Sequence, residues 1–395
     1  MKKVANYINS SPKRSAIFQE FCECFQGKNR KILRLCDTRW LSYYSCVERL
    51  LESWDTIKHF LNEMVVSEKT MPGENLLSIM GNVETKAYFL FLKYVLNFLN
   101  TFNAFFQALE TRIHLLQQKS LIFLSQICRN FLKGEHLEPF SINIVFSLKE
   151  NQKPLDEINL GLECEEYVNK LRMQGHKNVV TTVRENCLMF YVTAAAEICK
   201  RLPVSNTFSS KLQIFTPSLN LFNTDRETSF NDVSFIAKTI GEFDEDGLKK
   251  EWIALPLDFT IEEKQSLSQL NFDNMWKNIL QCQYPNDNVK YPNLKNVINI
   301  IRSLPNSNAD PERMFSLLTD LKTKKRNSLS SSTVNATCVF KSALKAKGET
   351  PMTMTIEEKH FSLMAPKILY AAAAKKEPST LRLHAADDTD IAGPS

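Results

Sequence analysis

Leu92, Val95, Leu99, Phe102, Phe106, Leu109, Ile113 and Leu116 alternate spacings of three and four residues, with Phe91, Leu96, Phe98 and Phe105 widening the stripe. This pattern predicts one long helix between Val83 and Lys133, packed on several sides, followed by a further helix over 121–132. The 3.5-residue period also fits a coiled coil. The extra phenylalanines and the lack of regular flanking charge pairs point instead to burial within a bundle of the same chain. A second stripe, Val183, Cys187, Phe190, Tyr191, Ala194, Ile198 and Leu202, predicts a helix over 179–202 that Pro203 ends. Shorter helices are expected over 12–25 and 230–239. The stretch 134–175 reads as a loop-rich connection, and 206–226 as irregular.

Towards the C-terminus the punctuation becomes explicit. Pro305 and the polar run Asn306, Ser307, Asn308 stop one helix, Asp310 is placed to cap the next, and Pro311 fits a first turn where its missing N–H costs nothing. Met314, Leu317, Leu318 and Leu321 then form an apolar stripe at i, i+3, i+4 and i+7. Lys322, Lys324, Lys325 and Arg326 gather at the helix end, where cations complement the macrodipole. Ser328, Ser330, Ser331 and Ser332 provide a capping run for a final helix carrying Val334, Cys338, Val339 and Leu344. From Ala371 onward an alanine run and Asp387, Asp388 and Asp390 read as a disordered tail.

Composition narrows the fold. Ten glycines in 395 residues disfavour a turn-rich all-β protein, and 43% apolar with 24% charged residues suits a folded helical body. A net charge of +5 permits a polyanionic partner without demanding one. Ten scattered cysteines, with no secretory signal ahead of them, read as reduced intracellular thiols. Cys22 and Cys24 are too closely spaced for a zinc knuckle and lack a second pair, so no metal site is expected. Lys93, Asn97, Asn100 and Asn103 argue against a membrane span over the long apolar stripe. Glu242, Asp244, Glu245 and Asp246 read as a solvated acidic loop.

The motifs Ser307-Asn308-Ala309-Asp310, Glu312-Arg313, Met314-Phe315-Ser316 and Lys325-Arg326-Asn327-Ser328-Leu329 follow one another in a fixed order. Together they resemble the C-terminal dimerisation region of hAT-family DNA transposases, with Pro311 a departure from the usual pattern. Asp37-Thr38-Arg39-Trp40-Leu41-Ser42 is similar to a second motif of the same family. There the Arg-Trp pair lies near the transposon end, so the resemblance gives Arg39 and Trp40 a nucleic-acid role. The reading from the residues alone is a core aromatic at a helix start, with Arg39 snorkelling to solvent or paired to Asp37. The acidic run before Trp252-Ile253-Ala254-Leu255-Pro256, together with Trp276-Lys277 and Tyr291-Pro292-Asn293-Leu294, continues the likeness.

The resemblance implies a mainly α fold: an insertion-like helical bundle with a C-terminal remnant of a ribonuclease-H-like fold. The expected segments are an N-terminal helical piece 1–30, an all-helical domain 31–270, the dimerisation region 271–347 and a tail 348–395. Such transposases cut DNA with three carboxylates holding two divalent cations. Glu312 matches the third carboxylate, but the two aspartates and their sheet should precede a motif that here begins at residue 37. The expectation is therefore a non-enzyme with no catalytic residues, Glu312 being a vestigial match that stabilises its own helix. No metal, no cofactor, no small-molecule substrate and no membrane association are expected. What remains is a nuclear or cytoplasmic protein that associates with itself or a related transposase-like chain. Its dimerisation residues would be Met314, Phe315, Leu317, Leu318, Leu321, Val334, Cys338 and Val339. The alternatives are a nuclear DNA-binding protein using Arg39, Trp40, Lys324, Lys325 and Arg326, with strongly salt-dependent affinity, or an element fragment without function. The sequence leaves open whether the apolar stripe is internal core or an interface.

Overall fold

The computed structural model describes residues 1–24, 41–137, 145–307, 309–323 and 328–364. Among these the chain is mainly helical, and no strand forms beyond two isolated antiparallel bridges, Leu132 with Gln152 and Gln283 with Val289. Two compact units result, Met1–Asp310 and Pro311–Ser395.

The first unit holds three apolar cores. The N-terminal core gathers α1 (Lys2–Asn9), α2 (Pro12–Cys24), α3 (Leu41–Glu52), α4 (Trp54–Glu68) and α5 (Met71–Gly81) around Trp54, Phe60, Leu61 and Met64. The middle core packs α6 (Val83–Phe106), α7 (Leu116–Cys128), α8 (Leu162–Met173) and α9 (Lys177–Arg201) around Phe91, Phe131, Val183 and Tyr191. Burial there pushes the Cys128 and Cys164 thiols up to about 12, which keeps them neutral.

The long apolar stripe is thus two helices rather than one. α6 ends at Phe106 although the pattern runs on through Leu109 and Ile113. Residues 107–112 peel away because distant groups capture them. Thr111 donates its N–H and its hydroxyl to the two oxygens of Asp273, at 2.7 and 2.9 Å. The Arg112 N–H goes to Asn306 Oδ1 at 2.7 Å, and Asn306 Nδ2 returns to Glu110 O at 2.6 Å.

By length and mean hydropathy α6 could cross a membrane. Most of its residues are half-buried, with Ala87, Phe91, Val95 and Phe106 buried; the helix packs on α3, α7, α8 and α9, and Lys93 pairs with Glu163 at 2.6 Å. The region expected to be loop-rich contains α8, which a polar network anchors. Tyr94 Oη donates to Asn130 Oδ1, Asn159 Nδ2 reaches both groups, Gly161 N donates to Asn159 Oδ1, and Tyr191 Oη donates to Asn159 O. Beside it the buried Arg184 holds Glu165 at 2.5 Å and donates to Ile158 O.

The third core packs α10 (Thr207–Lys211), α11 (Pro217–Phe222), α12 (Arg226–Ile240), α13 (Glu245–Ala254), α14 (Ile261–Ser268), α15 (Phe272–Leu280) and α16 (Pro292–Ser303) around Phe215, Trp252, Trp276 and Ile298. Two of these short helices lie within the stretch expected to be irregular. Asp225, Asp244, Thr260 and Asn271 each accept from a first-turn N–H of the helix that follows, which explains where α12 to α15 begin. The acidic residues read as a solvated loop therefore have local work, since Asp244 caps α13 and Glu245 pairs with Lys238. The N-terminus of α16, opened by Pro292, takes its acceptors from Glu251 of α13, which receives the Asn293 and Leu294 N–H groups at 3.0 and 2.8 Å. Arg226 is buried over Trp252 and donates to Trp252 O and Asn220 O, at the C-terminal ends of α13 and α11.

Buried His114 stacks on Phe272 at 4.5 Å, with its Nδ1 unpartnered. Burial lowers its pKa from 6.5 to about 4, against the pull of Asp273. Because the unfolded imidazole takes up a proton below about 6.5 while the folded one resists it until about 4, stability is lost as pH falls across that window. The loss attributable to this ring is about 3 kcal/mol. Urea melts of wild type and His114→Gln at pH 7 and pH 4.5 should show a smaller pH loss in the variant. Equal losses would remove His114 as the cause.

Candidate dimerisation surface

The second unit begins within α17 (Ala309–Leu321) and continues with α18 (Ser331–Ala346) and the short α19 (Glu358–Leu363). Pro311 sits in the first turn of α17, as its fixed φ and missing N–H allow. Ser330 caps α18 by accepting from Thr333 N at 3.2 Å. α17 and α18 meet through a small core in which Leu321, Val334 and Cys338 are 7–8% exposed, flanked by half-buried Leu317, Leu318 and Leu329. Leu321 near the end of α17 thus meets Val334 near the start of α18. At the other end Ser342 Oγ donates to Met314 Sδ at 3.5 Å, so the helices run antiparallel as a hairpin.

The eight residues singled out from the sequence divide into two sets. Leu317, Leu318, Leu321, Val334 and Cys338 lie inside the hairpin. Met314, Phe315 and Val339 are 40%, 66% and 60% exposed, and Phe340, which the sequence reading passed over, joins them at 45%. The signal for Phe340 was present. Ala336, Val339, Phe340 and Ala343 repeat the i, i+3, i+4, i+7 spacing two positions after Val334, and all four are exposed. α18 is therefore apolar on two sides, one covered by α17 and one open.

Glu312 is exposed on α17. Among the described residues no three His, Cys, Asp or Glu side chains gather closely enough to hold a metal ion. Arg39, Trp40, Lys324, Lys325 and Arg326 lie outside the described residues.

Compared with known protein families, residues 258–344 match the hAT family C-terminal dimerisation region. The chain is hAT transposase-like. The hAT match runs from the end of α13's 3₁₀ extension, Leu255–Asp258, through α14, α15 and α16 to the last turn of α18, and so includes the whole open stripe. None of the curated proteins compared with the chain matches it.

Proposed function

We propose that this hAT-like chain is a dimerisation module that pairs with a second copy of itself, or with a related transposase-like chain, and carries no catalytic activity of its own. The observation behind this reading is the set of large apolar side chains, Met314, Phe315, Val339 and Phe340, exposed inside a segment that matches a dimerisation region. Side chains of this size, clustered on one small hairpin, favour a partner over water. The likeness to transposases supports reading the C-terminal region as a remnant of a ribonuclease-H-like fold, with Glu312 the vestige of a metal-binding carboxylate. It also supports a nuclear location.

The test is the mass of the purified chain in solution by light scattering. Wild type is expected to be a dimer, and Val339→Asp and Phe340→Asp, which change exposed positions, should give folded monomers at micromolar concentration. Leu321→Asp serves as a contrast. It places a charge inside the hairpin and should lower the helical signal of that unit rather than only separate subunits. A wild-type monomer would overturn the reading.

A further inference from the structure

The open face of α18 has a definite order. Reading along the helix it is Ala336, Val339, Phe340, Ala343: small, large, large, small. The order is the same in both directions, which suits a two-fold contact in which one patch meets its own copy. From Ser328 to Phe340 the chain carries no charged residue, whereas Lys341, Lys345 and Lys347 crowd the last turns and are exposed. Two copies of α18 side by side and parallel would bring all these ammonium groups together. Turned head to tail, each lysine-bearing end lies against the uncharged serine-rich start of the partner helix, and the two macrodipoles oppose each other.

We infer that a second copy of this chain covers the Ala336–Ala343 face by antiparallel pairing of α18 with α18, the two-fold axis passing between Val339 and Phe340. This rests on the dimer reading above and specifies its geometry. In that arrangement Val339 faces Phe340 of the partner, and Ala336 faces Ala343 of the partner. The small residues at either end let the backbones approach while the large ones fill the middle. Four side chains do not make a whole interface, since stable pairs bury about 800 Å² on each partner. They form its desolvated centre, and Met314, held beside Ser342, extends the apolar surface onto α17.

The experiment uses the full chain with Ala336→Cys and Ala343→Cys made separately, then mixed in equal amounts and oxidised mildly. Cross-linked peptides are identified by mass, with wild type as the control for native thiols. Both positions are exposed, and unchanged helical circular dichroism checks that the variants fold. Antiparallel pairing predicts 336-to-343 disulfides in the mixture. Self-pairs 336-to-336 and 343-to-343 should be rare, because the like positions lie about 10 Å apart along the axis, beyond disulfide reach. Self-pairs equal to or exceeding the mixed product would overturn the inference in favour of parallel helices. A dimer by light scattering without any of these cross-links would overturn it and leave the dimer reading standing. A monomer by light scattering would overturn both.

Discussion

Replacing Gly161 with alanine is expected to destabilise the first unit by about 2–4 kcal/mol, combining left-handed backbone strain with overpacking. Gly161 has φ +85°, a conformation in which L side chains are strained, and a Cβ there would fall 2.5 Å from Tyr94 Cγ and 2.7 Å from Tyr94 Cβ. The ring cannot easily retreat. Its hydroxyl is tied to Asn130 and Asn159, and its edge packs on Phe98 at a centroid distance of 5.1 Å. Gly175 is the built-in control, with φ +89° but no atom within 4 Å of its hypothetical Cβ. Gly175→Ala should cost only the backbone part, about 1 kcal/mol. Urea unfolding of the two variants separates strain from collision, and equal losses would show that Tyr94 gives way.

Trp276→Ala should cost more, about 3–5 kcal/mol, as a large buried aromatic removed from a packed core. Trp276 is fully buried between Phe215 and Phe272, and its Nε1–H donates to Phe215 O at 3.1 Å. Trp276→Phe keeps most of the apolar contact but leaves that carbonyl without its donor, a loss of about 1–3 kcal/mol. Denaturant midpoints in the order wild type, Phe, Ala would bear this out. A Phe variant as stable as wild type would mean that the indole hydrogen bond contributes nothing measurable.

Periodicity made α9 and α12 legible, because each buries one face against its own neighbourhood, whereas the helices around Trp276 and Tyr291 were legible only through the family likeness. It misplaced the end of α6 for a physical reason. The apolar spacing continues past Gln107, and what breaks the helix is a carboxylate 162 residues away, Asp273, taking the Thr111 N–H and hydroxyl. α8 escaped notice because Glu163, Glu165 and Glu166 mask a narrow buried line of Cys164, Val168 and Leu171. The short helices α10 and α11 offer too few turns for a repeat to show. At the candidate site the sequence revealed which residues were apolar but not which way they faced. The stripe of Leu317, Leu318 and Leu321 could be read as core or as interface, and it largely lines the inside of a hairpin. The open face belongs to the alanines, Val339 and Phe340 on α18, a pattern shadowed by the stronger Val334 and Cys338 line two residues before it.

The segment shared with the hAT family and the units that fold cooperatively have different borders. The family segment starts at residue 258, yet Phe272, Trp276, Leu294 and Ile298 in it are covered by Phe215, Val233, Leu248 and Trp252 from before that point, and the first turn of α16 is closed by Glu251. Kinship has been inherited by a stretch of text that does not carry its own solvent shield. A recombinant fragment cut to the family limits would expose the apolar face around Trp276 and lose a helix cap. A soluble piece of this chain must reach back beyond Thr207, to where the third core begins.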